Sequence, residues 1–299
     1  MTTHHLKPLH EQVIVITGAS SGIGLATAEA AARAGAKLVL VARSAETLDS
    51  IVQRLQIEGA RAISVVADVG RQADLQMVAD TAVSHFGTID TWINDAGVSI
   101  FGRLDEVSDT DNRKLFDTNF WGVVYGSLVA LPHLKRHGGA LINLGSEVSD
   151  TVLPLQGMYS ASKHAIKGFT DALRVEVEQL DKAPVSIVLI QPTAVNTPFP
   201  ENARNYLSVE PQLPTPQLDP REVAQAILTA ATEGGRNITV GMMAKLNVAA
   251  ARWMPALSDR MAARQAERQQ RDEPARHSEG ALYRASQRGQ VFGRGANQH

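Results

Sequence analysis

Val13-Ile14-Val15-Ile16-Thr17-Gly18-Ala19-Ser20-Ser21-Gly22-Ile23-Gly24 decides the fold of this chain. Its first four residues are apolar and β-branched. That composition suits a strand buried on both faces, as in a parallel sheet. Three glycines follow at once, and then an alanine-rich helical stretch from about Leu25 to Ala34, closed by Gly35. Strand, glycine turn and helix in that order are the context a dinucleotide site requires, the alternative being a tight glycine-rich turn with no ligand. Glycines let the backbone turn sharply and come close to a pyrophosphate, and the helix N-terminus offers free N–H groups with partial positive charge.

Outward from this unit, short apolar runs recur between helical stretches: Lys37–Ala42, Ala62–Ala67, Thr91–Ile93, Ala140–Leu144, Val185–Ile190 and Asn237–Val240. The alternation predicts βαβ units and a doubly wound, mostly parallel sheet in three α/β/α layers, a Rossmann fold. The expected organisation is a dinucleotide-binding and catalytic domain over 1–245. An extension over 246–299 follows, helical at its start and then a flexible tail.

A second constellation lies further along. Tyr159 and Lys163 are four residues apart, on one face of a helix, and Ser146 precedes the tyrosine by thirteen positions. A free phenol titrates near about 10, and an ammonium beside it favours its ionised form. Lowered in that way, the phenol becomes an efficient proton-transfer group. Ser146, at the end of a strand, can hold a substrate oxygen there.

Together these motifs resemble the short-chain dehydrogenase/reductase (SDR) family, in its classical subfamily. Thr17 to Gly24 matches the family pattern Thr-Gly-x-x-x-Gly-x-Gly, and the resemblance runs over roughly residues 9–245. It implies cofactor contacts at Thr17, Gly18, Ser20, Ser21, Gly22, Ile23 and Gly24. It also implies them at Asp68 and Val69 beside the adenine, at Asn94, Ala96 and Gly97, and at Pro192, Val195 and Thr197 beside the nicotinamide. The catalytic set it implies is Asn119, Ser146, Tyr159 and Lys163. Tyr159 exchanges a proton with the substrate oxygen, and Ser146 hydrogen-bonds that oxygen. Lys163 lowers the phenol pKa and holds the nicotinamide ribose. Asn119, at a helix irregularity, holds a relay water. Two positions depart from the family: Asp95 replaces an asparagine, and Thr193 stands where glycine is usual.

Arg43 and Ser44 end the second strand, with no acid before Glu46. A guanidinium matches a 2′-phosphate, whereas an acid would take a 2′-hydroxyl. The cofactor expected is therefore NADP(H), with NAD(H) left open. The activity expected is interconversion of a carbonyl and an alcohol by hydride transfer, EC 1.1.1.-. A regulatory NADP(H)-binding protein, and an epimerase or dehydratase on the same fold, are the alternatives. Val148, Val152, Leu153, Leu155 and Met158 read either as an apolar substrate pocket or as ordinary packing.

Composition narrows the partners. The formal net charge is −2, from 29 basic and 31 acidic residues, which fits no polyanion. There is no cysteine, so thiol chemistry is excluded. The nine histidines show no ligand spacing, so no metal is expected. No apolar run approaches the roughly 20 residues of a spanning helix, and no leader is evident, so a cytoplasmic protein is the default expectation. A homodimer or homotetramer through helices around 103–135 and 159–180 is implied by the resemblance. Prolines 198, 200, 211, 214, 216 and 220 mark a substrate loop over 198–220. Leu246, Ala249, Ala250, Trp253, Met254 and Leu257 carry helical apolar spacing. The extension they open reads as subunit packing, as a cap on the pocket or as a solvated tail, with an amphipathic helix lying on a membrane as a weaker fourth reading.

Overall fold

The computed structural model describes residues 6–242, 247–248, 251 and 253–294. Seven strands form one parallel sheet: β1 (Val13–Thr17), β2 (Lys37–Ala42), β3 (Arg61–Val66), β4 (Thr91–Asn94), β6 (Gly139–Leu144), β7 (Val185–Pro192) and β10 (Asn237–Val240). Their order across the sheet is β10-β7-β6-β4-β1-β2-β3. From β1 the chain winds outward one way through β2 and β3, then returns to β4 and winds the other way. The reversal opens a crevice beyond the C-terminal ends of β1 and β4, the position where open α/β sheets take ligands.

Alternation along each strand divides the core in two. Ile14, Ile16, Leu38 and Leu40 face helices α1 (Gly22–Arg33), α2 (Ala45–Ile57) and α8 (Pro220–Glu233). Val13, Val15, Val39 and Trp92 face α3 (Gln72–Phe86), α5 (Gly122–His137) and α6 (Gly157–Arg174). The result is the three-layer, doubly wound fold expected from the strand pattern.

The long helical stretch from Asp109 breaks where Asn119 sits. Helix α4 (Asp109–Phe116) passes through a π-helical turn, Asp117–Trp121, into α5. Helix α8 is closed at its start by a reciprocal capping box between Asp219 and Glu222.

Two small sheets tie the substrate side to the body. β5 (Ile100–Phe101) pairs with β8 (Arg204–Asn205), and β9 (Val209–Pro211) pairs antiparallel with β11 (Gln270–Pro274). The proline-rich 198–220 segment also carries the short helix α7, Phe199–Asn202. Leu246, Ala249 and Ala250 lie outside the described residues, and the extension is helical over α9, Pro255–Arg268.

Residues 270–294, which composition alone reads as a flexible tail, are folded back onto the crevice. Gln269 is fully buried; Gln156 donates to its side-chain oxygen at 2.8 Å, and its amide nitrogen donates to the Pro154 carbonyl at 2.8 Å. Leu282 is fully buried with Val98, Ile100 and Leu115. A few anchors scattered through an Arg-, Gln- and Glu-rich stretch leave no periodicity to read, which is why composition points the other way.

Candidate active site

The glycine turn forms the floor of the crevice. Gly18 has φ +74°, and a Cβ there would lie 2.8 Å from the Ala96 backbone, so β1 and the Asp95–Ala96 turn touch only because Gly18 has no side chain. Gly22 has φ +56°, with the Thr197 side chain 3.2 Å from where its Cβ would be. Bare backbone at these points is what close approach to a pyrophosphate requires.

Most residues expected to contact a cofactor line this one cavity, from Gly18 and Ser20 through Arg43 and Asp68 to Pro192 and Thr197. Thr17, Gly24, Asn94 and Asn119 do not line it; they hold its wall from behind. The Thr17 hydroxyl accepts the Asp95 and Ala96 amides at 3.1 and 3.3 Å. A Cβ on Gly24 would collide with the Gly18 carbonyl. Asn94 takes the Trp92 indole N–H at 2.8 Å and donates to Asn143 at 2.9 Å, bridging β4 to β6.

The Asn119 side chain makes three hydrogen bonds. Its amide donates to the Val98 carbonyl at 2.9 Å and to Ser162 at 3.1 Å, and its oxygen accepts the Val98 N–H at 2.8 Å. Both amide hydrogens have partners, and the side-chain oxygen keeps a second lone pair. What the amide does is clamp the Val98 backbone to the π turn.

Ser146, Tyr159 and Lys163 converge at the other end of the crevice. Ser146 caps the short turn Glu147–Ser149, its hydroxyl accepting the Val148 N–H at 3.3 Å, and its side chain lies beside the Tyr159 phenol and favours the ionised form. The Lys163 ammonium lies 5.7 Å from the phenol ring centroid and donates to the Leu144 carbonyl at 2.7 Å. The expected lowering of the Tyr159 pKa is not what this arrangement produces. Burial pushes the phenol well above its usual range; Ser146 works against that, while Asp95 and Glu147 add to it. Burial lowers Lys163 to about 8, and the Asp95 charge holds it from falling further. The phenol is therefore protonated at neutral pH, and the ammonium is charged.

Two carboxyls complete the site, and sequence reasoning assigns neither of them a function. Burial raises Asp95 to about 7, opposed by Lys163 and by the hydrogen bond from the Gly24 N–H. Glu147 accepts Thr193 Oγ1 at 3.0 Å and Asn247 Nδ2 at 2.9 Å, and its pKa is raised by burial. Thr193, where the family has glycine, thus has a polar partner, and Asn247 of the extension joins it. The available signals are the Asp95 and Thr193 departures themselves.

At the far end of the crevice Asp68 accepts Lys114 and the Gly70 N–H, each at 3.0 Å. Against the upward pull of burial, these bonds hold its pKa below the usual range. The Ser44 side chain caps α2 by accepting the Thr47 N–H. Arg43 points its guanidinium at main-chain carbonyls of the C-terminal segment. Among the described residues no group of side chains is arranged to hold a metal, and no helix is long and apolar enough to cross a membrane.

A doubly wound sheet with a glycine turn and a Ser-Tyr-Lys cluster on one rim defines a class of nucleotide-dependent enzymes. Residues 12–207 match the family model described as short chain dehydrogenase, and the chain belongs to that family. The oxidoreductase YxnA of Bacillus subtilis is 45% identical over 259 residues, covering 86% of this chain and 72% of its own. The 11-beta-hydroxysteroid dehydrogenase A of Sesamum indicum is 35% identical over 240 residues, covering 76% and 68%. A short chain dehydrogenase/reductase from Burkholderia phymatum, solved in complex with NAD, superposes with a TM-score of 0.75 at 29% identity, covering 84% of this chain and 96% of its own. The alcohol dehydrogenase of Thermococcus sibiricus, complexed with 5-hydroxy-NADP, superposes at 0.67, also at 29% identity, over 77% and 94%.

Proposed function

We propose that this protein is an NADP(H)-dependent oxidoreductase that interconverts a hydrophobic ketone or aldehyde and the corresponding alcohol. The observation that carries the reading is the meeting of Ser146, Tyr159 and Lys163 on the rim of the glycine-turn crevice, with the phenol held protonated. The glycine turn fits a dinucleotide, since Gly18 and Gly22 present bare backbone in turns where a side chain would press on Ala96 and Thr197. When bound, the nicotinamide supplies or accepts the hydride.

The chain's own residues handle the proton. The Ser146 hydroxyl orients the substrate oxygen toward Tyr159. The Tyr159 phenol gives its proton to that oxygen as negative charge develops there. The nearby Lys163 ammonium steadies the phenolate left behind, and after turnover the phenol is reprotonated from solvent. Asn119 is assigned a positioning part, through Val98 and Ser162. Arg43, with no acid at the end of β2, favours the 2′-phosphate of NADP(H) over the 2′-hydroxyl of NAD(H).

Leu153, Phe199, Leu213 and Pro214 line the substrate end of the cavity. This apolar lining, with the hydroxysteroid dehydrogenase among the relatives, supports a cyclic or steroid-like substrate. The family's habit and the exposed apolar helices support a homodimer or homotetramer.

The test is nucleotide oxidation with a panel of cyclic ketones, steroids and aldehydes, run in parallel with NADPH and NADH. Turnover with NADPH in excess of NADH is expected. Tyr159→Phe should lower kcat by about 10²–10⁴-fold, the scale of a lost proton donor, while NADPH still binds. Full activity of that variant removes Tyr159 from the role.

A further inference from the structure

We propose that residues 281–284 of the C-terminal segment govern dinucleotide selection, by competing with the 2′-phosphate for Arg43. This rests on the dinucleotide reading above and adds to it a determinant outside the nucleotide-binding unit.

The Arg43 guanidinium donates to three main-chain carbonyls: Nη1 to Leu282 at 3.1 Å, and Nη2 to Ala281 and to Arg284, the latter at 3.1 Å. A guanidinium has five N–H donors in a fixed fork, and three of them, both on Nη2 included, are engaged by neutral acceptors. The segment is held there by other contacts. Leu282 is fully buried, the Tyr283 hydroxyl donates to Asp111 at 2.7 Å, and the Ala281 N–H donates to the Asn202 carbonyl at 2.7 Å. The same stretch continues over the glycine turn, where the Gln290 carbonyl accepts the Gly22 N–H at 2.9 Å.

A phosphate oxygen and a peptide carbonyl cannot share these donors. The phosphate carries charge, and its bonds to a guanidinium are stronger than those of a neutral carbonyl. It therefore displaces the segment, whereas a 2′-hydroxyl brings no charge and leaves the carbonyls where they are. Seating of 281–284 on Arg43 therefore reduces affinity for NADP(H) by the fraction of molecules in which it is seated, over and above the cost of freeing the Gly22 N–H from Gln290, which both nucleotides share.

Hydrogen exchange on the unaltered full-length chain, without nucleotide and with saturating NADPH or NADH, tests this directly. Exchange over 281–284, including the bonded Ala281 amide, is expected to quicken with NADPH and to stay unchanged with NADH. Unchanged or slower exchange with NADPH, as for a wall that closes over the cofactor, overturns the proposal; so does an equal rise with NADH. A second measurement loosens the anchors: Leu282→Ala with Tyr283→Phe should lower the NADPH Kd by about five- to tenfold and leave the NADH Kd within about twofold. An unchanged or raised NADPH Kd in a variant that circular dichroism finds folded overturns the proposal. If that variant does not fold, the exchange result on the unaltered chain decides. Direct titration keeps the two claims apart: binding of neither nucleotide overturns the dinucleotide reading itself, whereas binding without the exchange signature overturns only the competition.

Discussion

Asp95 and Lys163 share one buried environment, and each holds the other's titration back from neutrality. Burial lowers the ammonium to about 8 and raises the carboxyl to about 7, with their mutual attraction opposing both shifts. If the ammonium steadies the Tyr159 phenolate, kcat/KM for reduction falls as pH rises through about 8. Asp95→Asn removes the charge that holds Lys163 up, so the same fall should begin at lower pH; a pH-rate profile of both proteins checks this. Stability gives an independent readout. The carboxyl pKa is 3.8 when exposed and about 7 when folded. Between those values the native state binds more protons than the unfolded chain, so this group's contribution to stability declines as pH rises from about 4 to about 7. An amide at this position cannot ionise, so the variant lacks that decline. Its stability relative to the parent should be higher above pH 7, by on the order of 1 kcal/mol once the loss of the Lys163 counter-charge is set against it. The difference should vanish near pH 4. Urea melts at both pH values measure it, and identical pH dependence in the two proteins would show that Asp95 does not carry this linkage.

At the scale of elements, helix α5 shows how closely packing follows chemistry. A Cβ on Gly126 would collide with the Asn94 side-chain oxygen and lie 2.9 Å from the Trp92 indole nitrogen. Helix propensity alone predicts that Gly126→Ala stabilises by about 1 kcal/mol. Overpacking against a buried hydrogen-bonded bridge predicts a loss of about 2–4 kcal/mol instead. Chemical denaturation decides the sign, and a stabilised variant would show that α5 can lift off β4 freely. The elements themselves are largely legible in the sequence. Lys37–Ala42 and Asn237–Val240 match their predicted bounds; the first shows as an apolar run buried along its middle, the second as a half-buried edge strand marked by Ile238 and Val240. The break at Asn119 is implied by the family resemblance and is present as a π turn. The tail is not legible. Its grip on Arg43 is made by main-chain carbonyls, which every residue has, and so no side-chain pattern marks it. The Glu147–Thr193 pair joins positions 46 apart, and local pattern does not reach that far. The direction of the Tyr159 pKa shift escapes the sequence for a related reason. Spacing places an ammonium near a phenol, but it does not report the burial and the two carboxyls that outweigh it.

At the scale of the whole molecule, one surface stands out from scattered exposed side chains. Trp121 and Leu128 are seven residues apart on the continuous turn and helix leading into α5, and so share a face; they remain 44% and 47% exposed. Trp121 stacks on Tyr125 at 5.7 Å, which widens the apolar strip. Val175 and Leu180, 48% and 73% exposed, extend beyond α6, which packs in the same layer. Exposed apolar residues scattered singly need no partner, but a strip of aromatic and aliphatic groups along neighbouring helices marks a contact surface. A second copy of this chain is the occupant proposed above, and a two-fold interface brings each such patch against its own image. In that arrangement a charge placed near the axis meets its like across the interface, and two like charges are desolvated together. Leu128→Glu should therefore shift the assembly to monomer while leaving the fold intact, since Leu128 takes no part in either buried core. Light scattering on the parent and variant at micromolar concentration reads the mass directly. A parent that is already monomeric, or a variant that keeps the parent's mass, places the interface elsewhere or removes it.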